Sequence, residues 1–384
     1  MLVFTGVENG TLHHKLSHKK GQNHFTRKGA RRQRIDAVWY RTWMPNDVVT
    51  QNQSGSRRFA PLGIIFGLLG LVLFAYFVSR AGAGEIISRI QRLGAGFLLI
   101  LGVSGLRYIV RALAWMRCIE PRHRLPFRDA FAARLMGDAL GNIIPFVSMA
   151  VSEPSKAVFV KDRVPLMVGL SALAIENIFY ALTVALFIFS GTATLLLTFS
   201  LPRPLRYASI GALTVTLLII PVAYVLIRRQ ARFLSGALGF LGKRGVTSKL
   251  AGKLQPRAQS LEDRVYGFYA TSQRSFLGIF LLDMCFHVAG VLEVFITLSF
   301  ISPVAPTVTQ AFILESVNRI INVAFKFIPL RAGVDEGGTG QVSRVLGFAR
   351  GVGETLAIVR KGRDIFWSAI GLLLIWKKGH RLSA

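Results

Sequence analysis

Acidic residues are scarce in this chain: 19 Asp and Glu stand against 47 Lys and Arg, a formal net charge of +28. Cysteine is scarcer still. Cys118 and Cys285 lie in separate segments, which excludes a disulfide framework and a CxxC metal site and predicts two ordinary buried thiols. No short apolar core of the kind that opens a secretory leader occurs before Pro61, so no leader is expected. The motifs of soluble catalysis are also missing. Gly333–Gly340 follows no predicted strand and lacks the Lys-Ser/Thr ending of a phosphate loop, and no Ser-His-Asp or Cys-His arrangement can be picked out. His13, His14, His18 and His24 cluster without acids at ligand spacing, so neither a metal nor a cofactor is expected.

What the chain has is apolar length. It is 52% hydrophobic, with a mean hydropathy of +0.47. Several apolar runs reach ~20 residues, the length that crosses ~30 Å of hydrocarbon. The fold class predicted is all-α: a polytopic membrane protein of about six to eight spanning or re-entrant elements, two of them broken. A pI near 11.2 would suit nucleic acid, but the basic residues sit between the apolar runs, where they set membrane topology. No nucleic-acid partner is expected.

Residues 1–58 are polar, basic and rich in His, Gln and Asn, and read as a disordered cytoplasmic tail. Residues 59–378 form the membrane domain, and 379–384 a short tail. Predicted spans are Ala60–Val78, Gly94–Met116, Met167–Ser190, Tyr207–Ile227 and Phe276–Ile301, with residues 81–92 as an interfacial connector. Phe131–Val160 is interrupted by Asn142, Pro145, Ser148, Ser152, Glu153 and Pro154, and fits two half-helices meeting in a re-entrant turn. Between Arg228 and Arg274 a hydrophilic loop carries ten Lys or Arg and two acids, Glu262 and Asp263, which places it in the cytoplasm. Gln341–Arg363 reads as an amphipathic, charged segment before a short apolar run, Ile365–Trp376.

Three constellations carry chemistry. In residues 311–340, Glu315, Asn318, Arg319, Asn322 and Lys326 fall within about 100° of one another on one helix face. Pro329 and the Gly-rich acidic stretch Gly333–Gly338 then end that helix. The functional reading is a polar head-group lining in which Arg319 and Lys326 hold a phosphate and Glu315 tunes them. The structural alternative is a clamp, with Glu315 neutralising Arg319 and the asparagines bonding neighbouring helices. The second constellation is Asn142 and Pro145 followed by Glu153 and Lys156, where a proline frees backbone groups for a ligand or merely kinks a helix. The third is Asp283 and His287, with Glu293 further along. It offers a proton or cation relay or structural pairing with Arg107 or Arg111, and the pairing is preferred. Glu176 and Asn177 have the same status.

The two broken segments resemble paired signatures of a flippase-like family built on the membrane region of lysylphosphatidylglycerol synthases. Asn142–Pro145 with Ser152-Glu153-x-x-Lys156 is similar to the first. Pro329 with Gly333-x-x-Glu336 is similar to the second, and Arg360 matches a later Arg. Arg111 and Trp115 resemble the family's early Arg-rich helix. Ser152 stands where the family has Gly, Lys156 where it has Arg, and Leu330-Arg331 where a Gly follows the Pro. Lys156 keeps the charge but loses the bidentate fork that suits phosphate. The resemblance spans about residues 60–376 and implies an internal duplication with paired broken helices.

It also implies lipid handling. The chain ends eight residues after Trp376, so the aminoacyl-transferase domain of fused relatives, and its enzymatic activity, are not expected. The expectation is an inner-membrane protein of bacteria that moves a lipid or lipid-linked molecule between leaflets. Its partners would be membrane lipids with anionic or lipid-linked head groups, and a lipid-biosynthesis protein. Lys156, Arg319, Lys326 and Arg331 would contact the head group, with Glu153 and Glu336 ordering them. Two alternatives stay open: a membrane anchor or regulator of a lipid-modifying enzyme, acting through the 228–274 loop, and an ion-coupled transporter of a small solute using Asp283, His287 and Glu315.

Overall fold

The computed structural model describes scattered positions between 72 and 79 and residues 82–383, apart from 144–147, 230–231, 244–247, 272, 327 and 329–330. These described residues fall in one compact unit, residues 65–384. They form twelve helices and no strand. The expected span Ala60–Val78 falls almost wholly outside them, as do Pro145, Pro329, the residue 1–58 tail and its histidines.

Helix α1 (Ala83–Leu93) covers most of the segment expected to be an interfacial connector. Its Ile86 and Leu93 are buried while Ile87 and Ile90 are exposed. Arg89 turns inward on the same helix and donates to the Ile301 carbonyl at 2.6 Å and the Arg350 carbonyl at 3.3 Å.

Helix α2 (Gly96–Arg117) has 22 residues, or about 33 Å at ~1.5 Å per residue, enough to cross hydrocarbon. One stripe of it is buried, running Ile100, Ser104, Arg107, Arg111, Trp115, while Leu98, Leu99 and Leu106 face outward. A four-three-four-four spacing makes that stripe a single helix face.

Two shorter helices follow, α3 (Phe127–Ile143) and α4 (Ser148–Phe159), packed on one another as a hairpin. Their close approach depends on Gly137: a Cβ there would lie 2.4 Å from Lys156 Cγ and 2.9 Å from the Ser152 carbonyl oxygen. The expected pair of half-helices is present, with Pro145 in the undescribed break.

Helices α5 (Leu166–Thr198) and α6 (Arg203–Arg228) come next. The segment read as a basic loop is instead largely helical: α7 (Phe233–Lys243) and α8 (Ser248–Thr271) pack together and α8 packs on α5. Ser235 caps that pairing by donating to Glu262 at 2.6 Å. Apolar residues between the lysines and arginines explain the difference, since Leu261, Val265 and Phe268 recur at helical spacing and reach the core.

Helix α9 (Gln273–Ile301) exposes Leu277, Leu281, Val288 and Leu292. Cys285 lies on that outward stripe and is exposed, which corrects the expectation of two buried thiols; only Cys118 is buried.

Helix α10 (Val308–Ala324) opens with a capping box. The Thr307 hydroxyl accepts from the Gln310 amide at 3.2 Å, and Gln310 accepts from the Thr307 amide at 2.8 Å. It ends at Ala324, short of Pro329. The Gly-rich acidic stretch is not a loop: it starts α11 (Val334–Val345), with Gly333 at φ 80 as its N-cap. Asp335 and Glu336 occupy the first turn, where carboxylates suit the helix dipole. Its glycines serve packing, since a Cβ on Gly340 would lie 2.3 Å from Glu354.

The last helix, α12 (Val352–Ser383), is a single 32-residue helix. It joins the charged segment and the apolar run that the sequence separates at residue 364, and the charges it carries there are buried (Arg360, 3%; Lys361, 8%).

Two larger apolar clusters hold the bundle, beside a small third one of Leu93, Ile100 and Val359. One gathers Trp115, Ala133, Ala157, Leu173 and Ile279 from α2, α3, α4, α5 and α9. The other gathers Leu298, Leu314, Val342, Val352 and Leu356 from α9 to α12. Three described helices or helix segments are long and apolar enough to cross a membrane: Gly96–Arg117, Leu166–Thr198 and Ser275–Ile301.

Candidate functional site

Polar residues that the apolar clusters do not absorb surround a cavity of about 310 Å³. Its wall comes from α2, α3, α4, α5, α9, α10, α12 and the chain between α10 and α11. Nine cationic side chains line it against three carboxylates, Asp138, Glu153 and Asp364. That imbalance is unusual for a site among apolar helices, where an uncompensated charge is costly.

The compensation lies behind the wall. On the α2 side, Arg111 reaches Glu176 at 2.9 Å and Asp283 at 3.7 Å, and Arg134 of α3 reaches Glu176 at 2.8 Å. Glu176 and Asp283 are fully buried. One turn earlier on α2, Arg107 bonds Glu293 at 2.9 Å and lies 3.7 Å from Glu315. Arg363 of α12 shares Glu293.

Glu315 is the hub of the α10 side. It pairs with Arg319 one turn on, lies 3.4 Å from Arg360 and accepts from Asn318 at 3.1 Å. Arg360 is also 4.0 Å from Asp335. Carboxylates behind the wall are therefore almost inaccessible, whereas Asp138, Glu153 and Asp364 in the wall expose 34, 23 and 20% of their side chains.

Aromatic faces complete the lining. Arg111 lies 3.7 Å above the Tyr180 ring, and Arg107 and Arg319 lie 4.4 and 4.9 Å from the Phe286 ring. Such cation–π contacts hold guanidiniums without using up their N–H donors. Part of the fork is already taken, since Arg107, Arg111 and Arg319 give N–H groups to Glu293, Glu176 and Glu315; what remains of a planar guanidinium edge suits phosphate oxygens.

The α3–α4 hairpin contributes Lys156, 1% exposed, which bonds both Asp138 and Glu153 at 2.7 Å. Glu153 also accepts from Asn177 at 2.9 Å. Asn142, at the end of α3, donates to Ser368 of α12 at 2.9 Å. On the opposite break, Arg331 reaches Asp364 at 3.3 Å and holds φ 52, an unusual value for a residue with a Cβ. Lys326 lines the cavity, is exposed, and has no carboxylate partner among the described residues.

The structure thus brings Asn142, Glu153, Lys156, Arg319, Asn322, Lys326, Arg331 and Arg360 into one wall. Glu315 stands behind it as counter-ion. Glu336 and Gly333 stand apart from the wall: Glu336 accepts from the Gly333 amide at 2.8 Å and pairs with Lys361. Glu336 therefore fixes the start of α11 rather than ordering a cavity cation. Glu315 pairs with Arg319, as the clamp reading of α10 has it, and Arg319 also borders the cavity. The asparagines depart from the clamp reading because they bond within α10, Asn322 to the Asn318 carbonyl at 2.7 Å.

Asp283 and Glu293 pair with Arg111 and Arg107, as the structural reading of that helix predicts. His287 does not. It stacks on Phe187 at 4.6 Å and Tyr180 at 6.0 Å, with Thr183 at 3.3 Å.

Sequence reasoning did not place Arg134, Asp138, Arg363 and Asp364 at the site. Arg134 and Asp138 sit four apart inside an apolar stretch, a signal of the same kind as the α10 stripe. Arg363 and Asp364 are hidden in the sequence because they fall at the division between the charged segment ending at Arg363 and the apolar run beginning at Ile365, which one helix in fact spans. Among the described residues no group of three His, Cys, Asp or Glu is placed to hold a metal.

No curated protein and no solved structure matches the chain. The family model described as the lysylphosphatidylglycerol synthase TM region matches residues 61–371, a range that contains every residue of the cavity wall. Together with the apolar helices, that match makes this a polytopic membrane protein, and the chain belongs to the lysylphosphatidylglycerol synthase transmembrane-region family.

Proposed function

We propose that the cavity is a head-group site through which a phosphate-bearing lipid passes between the leaflets of the membrane. The observation that carries this reading is the wall itself: nine cations face a cavity of about 310 Å³ while most of their counter-ions stand behind them. A lipid crossing a membrane must move a solvated head group through hydrocarbon, and a pre-organised polar lining replaces the water that it loses. Acyl chains need no such lining and can stay among the apolar faces of the helices. The broken segments at 143–148 and 324–334 flank the cavity as discontinuous helices flank substrate sites in transporters.

In this reading the chain moves its ligand and transfers no chemical group. The basic hairpin α7–α8 and the N-terminal tail lie on the cytoplasmic face of a bacterial inner membrane by the positive-inside rule. Six to eight elements span or re-enter.

The test is transfer of a labelled phospholipid across proteoliposomes, followed by quenching of outer-leaflet label. Arg319→Gln is the informative variant, because Glu315 keeps Arg107 and Arg360 as partners and the bundle remains intact. Transfer should fall about tenfold, the cost of one charge-assisted phosphate contact of ~1.4 kcal/mol or more. Wild-type transfer by well-folded Arg319→Gln protein would remove the cavity from the path.

A further inference from the structure

Resting on the reading of the cavity as an anion site, we infer that Asp283 is a proton-binding site coupled to it: when an anion engages Arg111 from the cavity, Asp283 takes up a proton from solvent. Each loading of the cavity is thereby tied to a proton held behind its wall.

One arginine shared between two carboxylates carries this. Asp283 is fully buried inside α9, and Arg111 Nη1 stands 3.7 Å from it, with no other cation within 4.0 Å among the described residues. That same nitrogen is 2.9 Å from Glu176, which Arg134 also approaches at 2.8 Å. Neither carboxylate accepts a directed hydrogen bond among the described residues, so charge alone holds them, and Glu176 has the larger share. His287, one turn along α9, supplies no replacement charge. Thr183 donates its hydroxyl to the Tyr180 carbonyl at 2.9 Å and so accepts from His287 Nε2 at 3.3 Å, leaving Nδ1 a buried acceptor without a partner. A second ring proton would be a buried donor with nothing to meet it. Cys118, beyond the end of α2, faces both carboxylates and brings no positive charge.

The other helices packed on α9 place their titratable groups at other levels of it. Helix α1 sends Arg89 to the Ile301 carbonyl, α8 sets Tyr269 against Phe276, α10 puts Glu315 against Gly290 and α12 pairs Arg363 with Glu293. Around Asp283, then, Arg111 and Arg134 meet Glu176 and Asp283, and the group is neutral. Arg111 also lines the cavity, so an anion there draws on its charge without touching Asp283. The group then holds one negative charge too many, which a low dielectric makes costly. Asp283 is its least-held member, and a proton on one of its oxygens restores neutrality. Asp138 and Glu153 have less need of a proton, since both keep Lys156 at 2.7 Å and partial contact with the cavity. The linkage is reciprocal: anion binding strengthens as pH falls, by up to about tenfold per pH unit when a full proton is taken up.

The test follows the carboxyl group by infrared difference spectroscopy on the full chain in a maltoside detergent. Ether-linked phosphatidylglycerol is the anionic probe, because its chains carry no carbonyl to mask the signal. Adding it near neutral pH should raise a protonated-carboxyl band that Asp283→Asn lacks. Its affinity, measured by calorimetry, should rise about fivefold to tenfold for each unit drop in pH in the wild-type protein and about twofold or less in Asp283→Asn. Arg111→Gln removes the shared charge outright, while Glu176 keeps Arg134. That variant should show the band with no lipid present.

Lipid binding that raises no band, with the same pH response in wild-type and folded Asp283→Asn protein, would overturn the inference and leave the head-group reading standing. A band in Arg111→Gln that vanishes in Arg111→Gln/Asp283→Asn, in a protein whose wild type binds no lipid, would uphold the proton site and remove the head-group reading. Absence of the band from Arg111→Gln at every pH that keeps the fold would overturn the inference whatever the lipid does.

Discussion

Glu315→Gln tests the counter-ion arrangement directly. Glu315 is 1% exposed and serves three arginines: Arg319 as its closest partner, Arg360 at 3.4 Å and Arg107 at 3.7 Å. Glutamine preserves the shape and removes the charge. The three arginines do not suffer equally, because Arg107 keeps Glu293 at 2.9 Å and Arg360 keeps Asp335 at 4.0 Å. Arg319 alone is left with no carboxylate, only the Tyr180 hydroxyl at 3.4 Å. Breaking a buried pair on one side costs ~3–5 kcal/mol, and the retained partners argue for the lower end, ~3 kcal/mol. At ~2–4 °C per kcal/mol this lowers the melting temperature by about 6–12 °C.

The assay is thermal unfolding in detergent with a thiol-reactive dye, on a Cys285→Ala background so that only buried Cys118 reports. Asp129→Asn is the control: its partner Arg163 is 62% exposed, and such surface pairs contribute little. The double variant Glu315→Gln/Arg319→Gln should recover part of the loss, since both members of the pair are then neutral. A Glu315→Gln melting temperature within about 2 °C of wild type would refute the hub, since that is less than ~1 kcal/mol.

Arg331→Gly separates backbone strain from function. A left-handed conformation at a residue with a Cβ costs ~1–2 kcal/mol, so glycine should hold or raise the melting temperature. Lipid transfer should nonetheless fall, because the cation held by Asp364 is gone. Gly353→Ala should disrupt the α11–α12 crossing, where a Cβ would lie 2.6 Å from the backbone carbonyl oxygen of Thr339. A loss of ~1–3 kcal/mol from overpacking is expected, read as a lower melting temperature with the helical circular dichroism retained. Arg89→Met should loosen α1 alone, by removing its bonds to the Ile301 and Arg350 carbonyls. Hydrogen exchange should rise across residues 83–93 and stay unchanged in α2.

Much of this site was legible in the sequence because polar residues inside apolar runs carry so strong a signal. Glu315, Arg319 and Asn322 stand on one helix face, and Glu153 and Lys156 follow a proline break; both groups reach the same wall. What pattern could not supply was which side of the wall a charge would occupy. Glu315 and Arg319 are equally conspicuous in sequence, yet one is a counter-ion behind the wall and the other lines the cavity, and only the packing of α2 and α12 decides it. Glycine was misread for a related reason. A run such as Gly337-Gly338-x-Gly340 looks like a loop when its only known property is flexibility. In the fold these positions are packing points: a Cβ on Gly338 would lie 2.8 Å from Ile321 Cδ1 of α10, and one on Gly340 2.3 Å from Glu354 of α12. The α7–α8 hairpin was missed because ten basic residues drew attention away from an apolar helical period beneath them.

The two breaks also share a logic that the sequence motifs alone do not state. In each, a cation beside the break is held by a carboxylate from another helix: Lys156 of α4 by Asp138 of α3, and Arg331 by Asp364 of α12. These carboxylates belong to the wall and remain 34 and 20% exposed, unlike the fully buried Glu176 and Asp283. A pair exposed to the cavity can be met by a ligand, whereas a pair behind the wall cannot be reached. In the head-group reading a phosphate would therefore compete for Lys156 and Arg331, with Asp364 keeping Arg363 at 2.6 Å, and would leave Glu176, Glu293 and Glu315 undisturbed. The inner shell would keep the helices in register while the outer pairs exchange partners. On that reading, such a division of labour would let a charged site change occupancy within a membrane without unpacking the bundle.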